Sequence, residues 1–299
     1  MSTEIFEEHR RLLTGVAYRI LGSVADAEDV VQESWLRWAG VDHATVEDAK
    51  AYLIRVTSRL AIDRLRWARS RRESYVGPWL PEPIGTTPDA AERAELTDTV
   101  ELALLVVMET LSPLERAVFV LREAFDLPFS EIAEVVGRSE AATRQLAKRA
   151  RDHVNDKRPR FDTDRARRRD ITERFIDAST GGDLEALIAL LSQEVTLVSD
   201  GGGKARSPLR VLAGQENVVR FLTAVTTAAG IEKFMASIGV EEYAGLETVV
   251  TEMNGAPAVV GVAAGRVVTV MSLVISDGKV DTIYLMANPD KIGHLTPPS

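Results

Sequence analysis

The sequence predicts a multidomain chain in which two all-α modules are followed by an α+β domain. Three observations predict it. Apolar residues recur at helical spacing through the N-terminal quarter; a short helix, a glycine turn and a cationic longer helix follow one another within 111–151; and beyond Asp156 helical patterns give way to Val/Thr-rich segments separated by glycine turns. A chain of 299 residues with 45% hydrophobic content can build more than one core. The expected boundaries are 1–75 for a first helical domain, 76–97 for a linker, 98–156 for a helix-turn-helix domain, 157–169 for a basic connection and 170–299 for the α+β domain with a C-terminal tail.

Charge is segregated along the chain. The net charge of −9 argues against a uniformly basic nucleic-acid protein, yet Lys50 to Arg72 holds eight basic residues and one acid. The absence of cysteine excludes disulfides, thiolate metal sites and thiol redox sensing. With no apolar run of membrane-spanning length and no signal peptide, a cytoplasmic protein without membrane attachment is expected.

In the first domain Phe6, Leu12, Leu13, Ala17 and Ile20 mark one helix, Gly22 and Ser23 interrupt it, and Val30, Val31, Trp35, Leu36 and Trp38 mark a second. Asp26, Glu28, Asp29 and Glu33 crowd the start of that second helix, where the helix dipole favours each carboxylate by about 0.3–1 kcal/mol. The next helix is expected to bury Leu53, Val56, Leu60 and Ala61 and to turn Arg55, Arg59, Arg64 and Arg66 outward as a phosphate-binding stripe, with internal pairing to Asp63 as the plainer reading.

The stretch GPWLPEPIGTTPD at 77–89 carries four prolines, so it must be extended or turned, and Trp79 and Leu80 are too apolar to leave solvated. Within 111–151 a break at Asp126 to Pro128, a short helix from Ser130, a turn at Gly137 and a longer helix from Ser139 give the helix-turn-helix grammar. The longer helix offers Arg144, Gln145, Lys148, Arg149 and Arg151, and arginine and glutamine can bond base edges in pairs. Its buried face is either Thr143, Ala147, Ala150 and Val154 or Ala142, Leu146 and Ala150.

The string KRPRFDTDRARRRD at 157–170 leads into the last domain. Helices are expected at about 171–191 and 214–229, then strands near 236–253, 256–263, 266–276 and 279–287, forming a curved antiparallel sheet packed on helices.

Several of these strings match a known pattern. DAEDVVQESWLRW at 26–38 and KAYLIRVTSRLAIDRLRWARSRR at 50–72 resemble region 2 of the extracytoplasmic-function (ECF) sigma factors, and LSPLERAVFVLREAFDLPFSEIAEVVGRSEAATRQLAKRAR at 111–151 resembles their region 4. The resemblance implies a transcription initiation factor whose partners are core RNA polymerase and promoter DNA. It assigns Asp26, Asp29, Gln32 and Glu33 to the clamp coiled coil of the largest polymerase subunit. It assigns Arg55, Arg59, Arg64 and Arg66, with a base pocket in the loop from Val41 to Asp48, to the melted minus-ten element. Arg144, Gln145, Lys148 and Arg149 are assigned to the minus-thirty-five element. Ser58 stands where many relatives carry asparagine.

The helices-then-strands order of the last domain resembles the SnoaL-like members of the NTF2 and ketosteroid-isomerase cone fold. WLPEP at 79–83, DGGGK at 200–204 and NPDK at 288–291 are similar to strings of the sigma factors that carry such a domain fused. On that resemblance Trp79, Leu80, Asp200, Gly201, Gly202, Gly203, Lys204, Asn288, Pro289, Asp290 and Lys291 form a regulatory contact that replaces a separate anti-sigma protein. Two other roles for the cone stay open. It could hold a small molecule or act as a cyclase or isomerase, although His9, His43, His153 and His294 lie outside its body, which leaves Asp200, Glu241, Glu252, Asp277 and Asp281 as candidate acids or bases. It could also dimerise through a sheet face in Val267 to Ile275. The expectation is no catalytic residue, no cofactor and no metal.

Overall fold

The structure, a computed structural model, describes residues 2–85, 101–157, 164–242 and 244–298. The expected linker from 86 onward, the first residues of the helix-turn-helix domain at 98–100 and most of the basic connection, 158–163, lie outside the described residues. The chain divides into two compact units: Met1–Glu73 with Glu92–Arg158, and Ser74–Ala91 with Pro159–Ser299.

The first unit is helical: α1 (Ser2–Leu21), α2 (Val24–Ala39), α3 (Ala49–Arg72), α4 (Leu102–Met108), α5 (Pro113–Glu123), α6 (Phe129–Val136) and α7 (Glu140–Lys157). Local chemistry sets the boundaries. The Ser23 hydroxyl accepts the Asp26 N–H and starts α2, the Asp48 carboxylate accepts the Ala51 N–H and starts α3, and Ser112 with Glu115 closes a capping box on α5. Gly137 ends α6 in the left-handed conformation that glycine adopts without penalty. Phe6, Leu13, Ile20, Leu53, Leu65, Leu105 and Met108 are almost wholly buried.

The two helical modules are packed as one unit. Glu109, just past α4, pairs with Arg72 of α3 and with Arg116 of α5, and Arg69 donates to the Glu109 and Leu111 carbonyls. Arg116 is fully buried and also donates to the Arg19 carbonyl of α1 (3.1 Å). Burial draws the Arg69 and Arg72 guanidiniums below their ordinary pKa, against the opposing pull of Glu109.

The second unit holds α8 (Arg165–Gly181), α9 (Leu184–Leu190), β1 (Leu191–Asp200), β2 (Leu212–Ala213), α10 (Gln215–Thr226), α11 (Ala228–Ser237), β3 (Glu247–Met253), β4 (Ala256–Ala263), β5 (Arg266–Ser276), β6 (Lys279–Met286) and α12 (Pro289–Ile292). Its sheet runs β2-β1-β6-β5-β4-β3. All neighbours are antiparallel except β1 with β6. The helices-with-sheet architecture is the expected one, with three differences, the first being that the sheet is not wholly antiparallel, since β1 runs parallel to β6. The expected helix at 171–191 is α8 plus the short α9, and β1 follows α9 at once. The expected strand near 236–253 begins only at Glu247, because 228–237 is α11. Ile171, Phe175, Leu187, Val195, Leu197, Leu222, Leu273 and Ile283 form the core between helices and sheet.

Candidate functional site

On α2, Ala27, Val30, Val31, Ser34 and Trp38 face inward, which leaves Asp29, Gln32, Glu33 and Leu36 as one exposed stripe at i, i+3, i+4 and i+7. Leu36, which the apolar pattern groups with the core side, is 66% exposed. It adds an apolar member to the acidic stripe. Asp26 and Asp29 are not free: Arg64 of α3 donates to Asp26 (2.8 Å) and Asp29 (2.6 Å), and the Asp26 hydrogen bond raises the Arg64 pKa above its ordinary value. Glu33 pairs with Arg37 at 2.8 Å.

On α3, Leu53, Leu60 and Ala61 are buried as expected, together with Ile54, Thr57, Ser58, Ile62 and Leu65, whereas Val56 is only partly buried. Ser58 is wholly buried, so its side chain does not face a base-reading surface here. The four expected arginines part company. Arg66 pairs with Asp63 (2.8 Å), the plainer reading for that residue, and Arg64 is held by the α2 acids. Arg55 pairs with Glu134 of α6 (2.7 Å), and Arg59 donates to the Glu134 carbonyl (2.6 Å) and more weakly to that of Val135 (3.4 Å). These acceptors are the carbonyl end of α6, where the helix dipole is negative. The carboxylate and carbonyls together present Arg55 and Arg59 with the kind of oxygens a phosphate would. The loop from Val41 to Asp48 contains one 3-10 turn, His43–Thr45, whose His43 ring meets Trp38 edge to face, ring centroids 4.4 Å apart.

On α7 the buried face is Thr143, Ala147, Ala150 and Val154, which resolves the choice between two faces. Arg144, Gln145, Lys148 and Arg149 are therefore exposed together. Arg144 pairs with Glu140 and lies over the Phe129 ring (4.6 Å), and Arg151 pairs with Glu123 (2.6 Å).

The second unit brings WLPEP, DGGGK and NPDK to one place. The buried Asp200 carboxylate accepts from Tyr75 Oη (2.6 Å), the Leu80 N–H (2.8 Å), Lys291 Nζ (2.7 Å) and the Gly202 N–H (3.1 Å). Lys291 donates also to the Leu80 carbonyl (2.6 Å), and its ammonium sits 3.8 Å from the centre of the Trp79 ring. Asn288 donates to Tyr75 Oη (2.8 Å), its backbone N–H bonds the Asp200 carbonyl (2.9 Å), and its side chain caps α12, with Pro289 in the first turn. Lys204 and Asp290 pair at 2.6 Å on the exposed rim. The glycines are sterically required here. A Cβ on Gly201 would strike Ser207, and one on Gly202, whose φ is +59°, would strike the Asn288 amide. Residues 83–85 extend the contact: Ile84 and Asn254 exchange two hydrogen bonds, His294 lies 3.0 Å from the Pro83 carbonyl, and Gly85 bridges Met253.

Tyr75, Asn254 and His294 belong to this seat and stand outside the three sequence strings. Burial, then the hydrogen bond to Asp200, raises the Tyr75 pKa well above the tyrosine range. Of the acids open to a catalytic role, Asp200 is tied to Lys291, Glu252 pairs with Arg165 (2.6 Å) and Asp281 accepts from Ser276. No cluster of three or more histidine, cysteine, aspartate or glutamate residues that could hold a metal is found among the described residues. No helix among them is long and apolar enough to cross a membrane.

Comparison with known proteins identifies the family. Residues 5–71 match the family described as Sigma-70 region 2, and residues 101–154 match Sigma-70, region 4. The chain is 41% identical to the ECF RNA polymerase sigma factor SigJ of Mycobacterium tuberculosis, over 97% of this chain and 93% of that one. It is 32% identical to the probable ECF RNA polymerase sigma factor SigI of the same species, over 96% and 93%. The crystal structure of the M. tuberculosis SigJ superimposes with a TM-score of 0.76 at 37% identity, covering 97% of this chain and 98% of that one. The chain therefore belongs to the ECF RNA polymerase sigma factors and is an alternative sigma factor with a fused C-terminal α+β domain.

Proposed function

We propose that this sigma factor carries core RNA polymerase to promoters through three surfaces of its first unit and is regulated by its second. The exposed stripe of Asp29, Gln32, Glu33 and Leu36, with Asp26 beside it, suits a cationic coiled coil, with an apolar contact at the stripe's C-terminal end. Arg55 and Arg59 serve the melted strand, and the exposed face of α7 reads the duplex. Arg64 and Arg66, both paired within the first unit, contribute less to DNA than those two. In this reading the protein acts in the cytoplasm, and polymerase supplies all phosphoryl-transfer chemistry.

The observation that carries the regulatory half is Lys291. One buried ammonium bonds the glycine-loop aspartate and the Leu80 carbonyl at once, so tail, loop and the segment joining the two helical modules form a single seat. That segment is the only covalent path between the modules, and holding it limits how they can be displayed to polymerase and DNA. Tethering raises effective concentration to roughly millimolar, so weak intrinsic docking suffices. The expected domains 1–75, 98–156 and 170–299 fit this reading, except that the segment from Ser74, Tyr75 included, belongs functionally to the last.

Truncation tests it. Removal of the tail from Asn288 deletes Lys291 and Asn288 and is expected to raise output from a cognate promoter at matched protein level. Removal of the domain from Arg167 is expected to lower it by withdrawing the support of the 75–85 segment. Equal output from both truncations and wild type would remove the regulatory half of the proposal and leave the sigma assignment standing.

A further inference from the structure

We infer that the second unit contains a binding site for a small apolar molecule with an anionic head, a carboxylate being the simplest, and that Arg206 and Lys233 receive the head. The site is a cavity of about 910 Å³ between α8, α10, α11 and the concave face of the sheet. That is within the range of small-molecule pockets, roughly 300–1,000 Å³. Phe175 forms its buried floor, and Phe221, Phe234 and Met271 are only partly covered, which leaves apolar surface facing the cavity.

The charge of the lining decides the ligand class. Among the described residues that line the cavity, Arg206 and Lys233 are charged, the remaining polar ones are serine and threonine, and aspartate, glutamate and histidine are absent. A cation would meet two like charges and no acceptor carboxylate. A neutral ligand would leave both cations unused. An anion gains charge-assisted hydrogen bonds at the mouth while its body displaces water from the phenylalanine side chains. The same lining lacks any carboxylate or imidazole to shuttle a proton, so the site binds and does not perform acid-base catalysis.

The two cations lie on adjoining elements of the lining. The Arg206 N–H donates to Ser237 Oγ (2.9 Å), which fixes the 201–208 loop against α11, the helix that carries Lys233 one turn earlier. The other end of that loop is the Asp200 seat, and Ala287, whose N–H bonds the Asp200 carbonyl (2.8 Å), lines the cavity too. An occupant held by Arg206 thus bears on the loop that grips the 75–80 segment. Binding itself does not depend on the regulatory reading above.

The test uses the full-length protein and calorimetric titration with dodecanoate, dodecanol and dodecylammonium below their aggregation limits. Dodecanoate should bind roughly tenfold more tightly than dodecanol, the return on about one charge-assisted hydrogen bond, and dodecylammonium most weakly. Arg206→Gln with Lys233→Gln, both exposed and without consequence for the core, should bring dodecanoate down to the dodecanol level and leave dodecanol unchanged. Met271→Trp should weaken both by filling the cavity. Equal binding of acid and alcohol by the wild type, a preference for the ammonium, or no binding of any probe overturns the inference. Concentration-dependent dimerisation abolished by Met271→Trp, with no probe bound, would assign the cleft to a second copy of the chain instead.

Discussion

Two ion pairs join residues far apart in the sequence, and they are built for opposite purposes. Arg55 and Glu134 meet in the first unit with side chains 36% and 60% exposed, whereas Lys291 and Asp200 meet in the second at 7% and 0%. An exposed pair is worth about 0–1 kcal/mol and weakens with salt. A buried pair adds little over an apolar replacement, but breaking it strands a charge and costs about 3–5 kcal/mol. The first is therefore exchangeable: a phosphate can take the place of the Glu134 carboxylate and the α6 carbonyls without a large penalty. The second is a fixed clasp. Asp200 accepts four hydrogen bonds, and two of the donors, Tyr75 Oη and the Leu80 N–H, would have to find water if the 75–80 segment left.

The largest effect that follows is on the clasp. Lys291→Met should destabilise the second unit by about 3–5 kcal/mol, read from denaturant unfolding followed through Trp79, because Asp200 would stay buried without its cation. A loss below about 1 kcal/mol would mean that water reaches the carboxylate and that the clasp is no firmer than a surface pair.

A smaller effect follows from Tyr75. Its folded-state pKa is raised, so its share of stability is complete below the ordinary tyrosine value of about 10 and is lost as pH rises through the folded value. Burial pushes Tyr284 up to about 12 as well and gives a background loss over the same range. Tyr75→Phe should make the alkaline fall of unfolding free energy shallower. An unchanged alkaline limb would place the Tyr75 hydroxyl in water.

The smallest effect on folding belongs to the seam. Glu134→Gln should change the stability of the first unit by less than about 1 kcal/mol. It should still increase promoter opening in permanganate footprinting, because Arg55 no longer has to exchange a carboxylate for DNA. Reduced opening would mean that Glu134 supports the open complex and does not compete with it.

How far the sequence revealed these regions depends on the range of the forces involved. Local signals were legible: Ser23 and Gly137 mark helix ends through their own chemistry, and the cationic face of α7 follows from spacing. Lys204 with Asp290, and Trp79 with Leu80 as an anchor, could be named because each lies in a short recognisable string. β1 was not legible, since Leu190 and Leu191 pass from helix to strand with no glycine or proline between them, and its parallel partner β6 lies far along the chain. Leu36 reads as core in an apolar pattern and is exposed, because α2 has more apolar residues than its buried face accommodates. Glu134 lies 79 positions from Arg55 and Tyr75 lies 125 from Asp200, and no periodicity encodes a pairing at that distance.

The contrast between seam and clasp is tested most directly by two double-mutant cycles on the same full-length chain, Arg55→Gln with Glu134→Gln and Lys291→Met with Asp200→Asn, each measured at low and high salt. The account predicts a coupling below about 1 kcal/mol for the first pair that fades with salt, and one of several kcal/mol for the second that salt leaves unchanged. Couplings of equal size and equal salt dependence would contradict it.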